Sequence, residues 1–437
     1  MIQLIFWNVF LVVGLIFVYN VFNRELLSPT FICVAMYLLS SFMLLFYVET
    51  WNFDLSTKTV IVILSGLLSV FLGELAGTKV RVGLKLGKNI ENDSSNPIIM
   101  KKTALYLCFV FVSLTAVLYL REIRNIAANS AFGEMYSFMM TVRRTKAADG
   151  VNVSYYVQQM FTLSEAIVCV LTYILMNNRL KYGEKKGTKI IVITIAIYIA
   201  NTFMTTGRAK MLNFFIYVLC CWIIIYAQKR NWVFRGNVKI FGKIILIAGM
   251  AISLFYFAGF LTEKSLHYDN FFDNFANYFS SSIYALNEYL KNPSNFNSGT
   301  SFFGSYTLSG VCSLLRTLGF KIPANNIVLE YIPCGKYVTN IYTPLRRYVQ
   351  DFGILGEAFI MFFIGYGYKR LLWKNKISEG FFCIVTSYFY FPLFFISIEE
   401  RLFMDVIMTR SIYTMIYLYL AYMWLVKSKF LHWEIKK

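Results

Sequence analysis

Apolar runs of similar length recur from one end of this chain to the other, and each is close to the roughly 20 residues a helix needs to cross a bilayer. Eleven can be read, at 2–20, 30–48, 59–77, 103–120, 157–176, 190–206, 211–227, 244–261, 353–372, 380–398 and 411–426. Lipid offers the backbone no hydrogen-bond partners, so such runs must satisfy their own and fold as helices. The expected fold is therefore all-α and polytopic, a single membrane domain over residues 1–437 with about 11 transmembrane helices. The low charge agrees: 15% of residues are charged, against about 25% in soluble proteins. The first run has no basic flank before it and no small-residue cleavage site after it. It reads as a true span rather than a signal peptide.

The short basic loops set the orientation. Lysines and arginines cluster in 78–102, 177–189, 228–243, at Lys369, Arg370, Lys374 and Lys376, and in the C-terminal tail. With eleven spans all five lie on one side, and the positive-inside rule makes that side cytoplasmic. The N-terminus is then outside and the C-terminus inside. Topology alone explains the net charge of +19, so nucleic acid is not implied as a partner. The two basic residue types separate across this topology. The inner side holds six arginines and 19 lysines; the outer side holds ten arginines and seven lysines. Insertion needs charge of either kind, whereas recognition of phosphate favours the planar guanidinium fork.

The outer arginines fall at few places. Residues 262–352 form a long extracytoplasmic loop between spans 8 and 9, and loops of that length are generally functional. Short interfacial helices are expected within it, since Phe271, Phe272, Phe275, Tyr278 and Phe279 repeat at helical spacing. Its end carries Tyr342, Arg346, Arg347, Tyr348 and Asp351, with Arg347 and Asp351 at i and i+4, a spacing that permits an ion pair. Thr205-Thr206-Gly207-Arg208-Ala209-Lys210 joins two spans with almost no loop; Gly207 is the expected turn residue and Lys210 an expected headgroup contact. Arg143 and Arg144 lie in the outer stretch 121–156, and Glu399, Glu400 and Arg401 lie between spans 10 and 11. Arg401 completes an arginine cluster or salt-bridges within its own short loop.

Proton abstraction has several candidates. His267 is the outer residue whose ordinary pKa suits it near neutrality, with Asp351, Glu399 and Glu400 as rivals. Glu165 and Glu357 sit inside spans, where a charge is expensive and a watered cavity is expected. The eight cysteines show no metal spacing, and no metal or cofactor is called for. Cys312 and Cys334 share the long loop, which alone does not establish a disulfide.

Three features together resemble the Wzy-type polymerases of O-antigen or capsule repeat units, within the broader O-antigen polymerase and ligase group. They are the Thr-Gly-Arg-Ala turn at 206–209, the long external loop, and its ending in Tyr342, Thr343, Arg346, Asp351, Phe352, Gly353 and Gly356. The resemblance covers the layout of nearly the whole chain, but the matching motifs are short. It implies a GT-C-like membrane glycosyltransferase in a bacterial cytoplasmic membrane, using undecaprenyl-pyrophosphate-linked oligosaccharide and partnered by a chain-length regulator. Arg208, Arg346, Arg347 and Arg401, with Tyr342, Arg143 and Arg144, would then bind the lipid pyrophosphate. His267 or one of the carboxylates would take the proton. A ligase of finished polysaccharide shares this architecture. A lipid-linked oligosaccharide flippase is disfavoured, because the spans are nearly free of lysine and arginine.

Overall fold

The computed structural model describes residues 1–79, 97–131, 136–148, 150–233, 238–261, 270–296, 302–323 and 328–428. The helices, in chain order, are α1 (Ile2–Val21), α2 (Pro29–Leu45), α3 (Thr57–Lys79), α4 (Lys102–Ala128), α5 (Phe138–Ala148), α6 (Tyr155–Asn177), α7 (Thr188–Met204), α8 (Arg208–Lys229) and α9 (Val238–Leu261). After them come α10 (Phe271–Phe279), α11 (Ser281–Lys291), α12 (Ser309–Thr317), α13 (Pro344–Ile377), α14 (Phe381–Tyr388), α15 (Phe391–Phe394) and α16 (Thr409–Tyr422). A two-stranded antiparallel hairpin, β1 (Ile332–Cys334) and β2 (Tyr337–Thr339), precedes α13, with Pro333 opposite Val338.

Six helices among the described residues are long and apolar enough to cross a membrane: α1, α3, α4, α8, α13, and α6 with its continuation to Tyr182. That is fewer than the eleven expected. Pro29–Leu45, Thr188–Met204 and Phe381–Phe394 are apolar but shorter. In the last of these, Pro392 interrupts the run expected to be one span over 380–398, dividing it into α14 and α15. A proline cannot donate to the helical ladder and clashes with the preceding turn.

The chain forms two compact units. The first holds Met1–Gly87, Asn270–Ile377 and Phe389–Ser411. Its axis is the contact of α3 with α13, made through glycines. A Cβ on Gly73 would lie 1.9 Å from the Phe362 carbonyl oxygen, and one on Gly365 would lie 2.2 Å from that of Val70. Small residues let the two backbones approach this closely, the usual device where hydrophobicity gives no drive for helices to associate. At one end of the contact, Lys369 bridges Glu25 at 2.6 Å and Glu74 at 3.0 Å, and Lys376 also meets Glu25. Burial pushes the Glu25 carboxyl up, but the two ammoniums outweigh it and hold it below its usual range. The aromatic stripe at 271–279 is helical as expected; Phe271, Phe275 and Phe279 stack in series, and Asp273 accepts hydrogen bonds from Tyr47 and Tyr337.

The outward faces stay apolar. Leu355 on α13 is 87% exposed, and only 28% of the most apolar window of α1 is buried. Water would oppose that much exposed hydrocarbon, whereas a bilayer favours it.

The second unit holds Lys88–Asp269, Ser378–Tyr388 and Ile412–Lys437. Its central helix is α6, with 72% of its apolar window buried. Tyr217 on α8 donates to the Cys169 carbonyl on α6 at 2.6 Å.

Candidate functional site

The hairpin hands the chain to Tyr342 and Thr343, and α13 then starts at Pro344, whose missing N–H is no loss in a first turn. That turn carries Arg346 and Arg347 and no acidic residue. The N-terminus of a helix already bears partial positive charge, so two guanidinium groups there add to the local positive potential and favour an anion nearby.

Arg346 is enclosed, with 0% of its surface exposed. One terminal nitrogen, Nη2, pairs with Glu330. Its plane sits in an aromatic box: the Tyr342 ring lies at 4.0 Å, Tyr289 at 4.8 Å and Phe296 at 5.3 Å. The Nε and Nη1 atoms are buried and make no hydrogen bond. Tyr342 is itself buried, and its hydroxyl donates to the Glu330 carbonyl at 3.1 Å. Burying a guanidinium costs several kcal/mol before its partners offset it.

Arg347 is also buried, and its Nη1 donates to the Tyr306 carbonyl at 2.9 Å. Asp351 accepts from the Tyr306 amide at 3.1 Å and the Thr307 amide at 2.6 Å. The i, i+4 spacing suggested that Arg347 and Asp351 meet directly. They meet instead through the Tyr306–Thr307 peptide, which both side chains grip. The charges of Glu400, Glu399 and Asp351 all bear on Arg347.

Glu400 is the most deeply buried of these acids. Its carboxylate accepts from the Phe403 and Met404 amides at 2.8 and 2.9 Å, and from the Tyr348 hydroxyl at 3.3 Å. Burial pushes the Glu400 carboxyl up to about 7, against the pull of those two amides and of Arg347. Arg401 bonds Glu399 at 2.6 Å and Asp405 at 2.8 Å. Of the two readings of Arg401, the geometry gives the salt bridge within its own loop. Burial works against its charge, but the two carboxylates raise its pKa further. A small cleft of about 10 Å³ is lined by Glu400, Arg401, Tyr348, Tyr368 and Leu393.

The first unit thus assembles Tyr342, Arg346, Arg347, Asp351, Glu399, Glu400 and Arg401. The sequence reading missed Glu330 and Phe296, and missed Tyr289 and the Tyr306 carbonyl as partners of the arginines. Only the density of aromatics in the loop hinted at them. His267 lies outside the described residues. Cys312 and Cys334 are both buried and unbonded.

Arg208, Arg143 and Arg144 belong to the second unit. Arg208 is buried at the first position of α8, again at a helix N-terminus. The left-handed residue of its turn is Thr206, with φ 61°, and not Gly207, which is extended and caps the helix. Lys210 is not a headgroup contact: it pairs with Glu165 at 3.1 Å, and Tyr388 donates to the other Glu165 oxygen at 3.0 Å. An ammonium, rather than a watered cavity, is what balances this intrahelical acid. Arg143 reaches the Met140 sulfur at 3.9 Å, and Arg144 lies 3.9 Å over the Tyr136 ring. No family model matches the chain, and neither the curated proteins nor the solved structures contain a match to it.

Proposed function

We propose that this protein is a membrane glycosyltransferase of the Wzy type, which joins lipid-linked oligosaccharide units into O-antigen or capsular polysaccharide at the outer face of a bacterial cytoplasmic membrane. The observation that carries the reading is the arginine pair in the acid-free first turn of α13, where guanidinium charge and helix dipole add. A diphosphate matches that field, and a polyprenyl chain matches the apolar faces beside it.

In the proposed reaction the growing chain is the donor, linked through its anomeric carbon to undecaprenyl pyrophosphate. A hydroxyl at the non-reducing end of a new lipid-linked unit attacks that carbon. The new glycosidic C–O bond forms as the anomeric C–O bond to pyrophosphate breaks, and the lipid pyrophosphate leaves with the electron pair. Arg346 and Arg347 stabilise its developing charge. Glu400 takes the proton from the attacking hydroxyl, since its carboxyl titrates at about 7.

The test is a gel profile of surface glycolipids from a deletion strain, with the wild-type gene or the Arg346→Ala gene restored. Loss of long chains with a single unit still displayed supports polymerase. Long polymer retained on its lipid carrier supports the ligase reading instead. Full activity of Arg346→Ala at normal abundance overturns the role of the arginine.

A further inference from the structure

Glu357 is a buried acid that the proposed chemistry does not use. It lies on α13 beyond the Gly353 kink, faces α3 and has none of its surface exposed. Among the described residues its one hydrogen-bond partner is Ser65, whose Oγ lies 2.6 Å from Glu357 Oε2. Among the described residues no lysine or arginine pairs with it, in contrast to Glu165, Glu25 and Glu74, each of which meets an ammonium.

The hydrogens around Ser65 decide the state of this acid. Ser65 Oγ lies 3.0 Å from the Val62 carbonyl as well as 2.6 Å from Glu357 Oε2. A hydroxyl has one hydrogen, and a carbonyl and a carboxylate both only accept. If Glu357 is ionised, one of the two contacts is oxygen against oxygen with no proton between them. If Glu357 is protonated, Oε2–H donates to Ser65 Oγ, Ser65 donates to Val62, and both contacts are satisfied. Oε1 is then a neutral carbonyl oxygen.

The surroundings fit a neutral acid. Tyr37 on α2 and Thr343 before α13 are both wholly buried. Among the described residues Glu357 Oε1 makes no hydrogen bond. An ionised carboxylate would leave a charged, buried oxygen there without a donor, which costs more than leaving a neutral carbonyl oxygen so. Glu74, the next acid toward Cys33, is already held by Lys369 and Ser28. Gly66 keeps the space: a Cβ there would lie 2.6 Å from Glu357 Oε1 and 3.3 Å from Leu345 Cδ2. The same contact places the turn that carries Arg346 beside the acid.

We propose that Glu357 is a proton-binding site, a neutral carboxylic acid at physiological pH that joins α13, beyond its kink, to α3. The inference is independent of the glycosyl-transfer reading. The test uses the purified full-length protein in phosphatidylglycerol nanodiscs, by infrared difference spectroscopy of wild type against Glu357→Gln near neutral pH. The expected result is a carbonyl band of a protonated carboxyl that disappears in the variant. Loss of carboxylate bands instead overturns the proposal. Should Glu357→Gln fail to fold, Ser65→Ala serves: it removes the acceptor, so the protonated band shifts, and an unshifted carbonyl region overturns the proposal.

A thermal series adds a second readout. The native state holds a proton that the unfolded chain releases above its ordinary carboxyl pKa of about 4.3, so this part of wild-type stability is full at acid pH and falls as pH rises toward neutrality. Glu357→Gln, which mimics the neutral acid, is expected to lose that part of the slope; equal slopes in both proteins count against it. Stabilisation of wild type by sodium chloride but not by choline chloride, absent in Glu357→Gln, overturns the proton in favour of a bound cation.

Discussion

Arg346 has two possible reasons to be buried, and they separate by experiment. Removing one partner of a buried ion pair costs about 3–5 kcal/mol, whereas replacing both by apolar side chains is often neutral. Arg346→Ala leaves the half-buried Glu330 without its guanidinium, so we expect low abundance as well as lost activity. Arg346→Met with Glu330→Met should restore abundance, read by immunoblot of membranes. If polymer does not return with it, the guanidinium acts on substrate; if it does, Arg346 is structural. Glu400 gives a second prediction at this scale. Its carboxyl is held at about 7, above the roughly 4.3 of an unfolded chain. Between those values the folded state binds more protons, so stability is full at low pH and falls as pH rises toward 7. Activity that needs the ionised base rises over the same range. Glu400→Gln should flatten that part of the melting curve against pH and abolish turnover. The doublet Arg346-Arg347 was legible because adjacent arginines outside a span are conspicuous. Their partners were not, since Glu330 and Tyr306 reach them through tertiary contacts that carry no periodicity.

Helices were legible as apolar runs, but their lengths and contacts were not. Periodicity and hydropathy report that a segment avoids water; they do not report where a proline such as Pro392 divides it, or which helix lies against it. The glycines of α3 gave a hint that was not read, for Gly73 and Gly77 share one face and both abut α13. Gly73→Ala puts a methyl 1.9 Å from a backbone oxygen, which no side-chain rotation relieves. We expect a loss of about 1–3 kcal/mol, seen as a lower Tm in detergent, while Gly14→Ala, with open space around it, leaves Tm unchanged. The kink in α13 rests on Gly353, with φ 67° and ψ −177°, a conformation that side chains rarely adopt. That kink separates the arm bearing the arginines from the arm bearing Glu357. Gly353→Ala should cost about 1–3 kcal/mol in the kinked form. Its effect on polymer formation should exceed that of Gly73→Ala at matched abundance, because straightening the kink displaces the arginine turn itself.

Across the whole molecule, charge distribution is the property most open to direct test. Read with eleven spans, the basic loops would put the N-terminus outside and the arginines would concentrate on the same side, an asymmetry that topology alone does not require. Cysteine labelling distinguishes the sides, and the native protein provides a quiet background because all eight cysteines are buried. Lys336 and Lys186 are both exposed, the first in the β1–β2 turn and the second in the basic stretch before α7. A membrane-impermeant maleimide applied to intact cells, with the outer membrane permeabilised where one is present, should label Lys336→Cys and spare Lys186→Cys. Breaking the cytoplasmic membrane should expose Lys186→Cys. The reverse pattern would put Arg346 and Arg347 on the cytoplasmic side, where a lipid-linked unit is assembled rather than polymerised, and would remove the basis for the proposed reaction. Labelling at both positions in intact cells would mean that at least one short apolar segment between them does not span the bilayer.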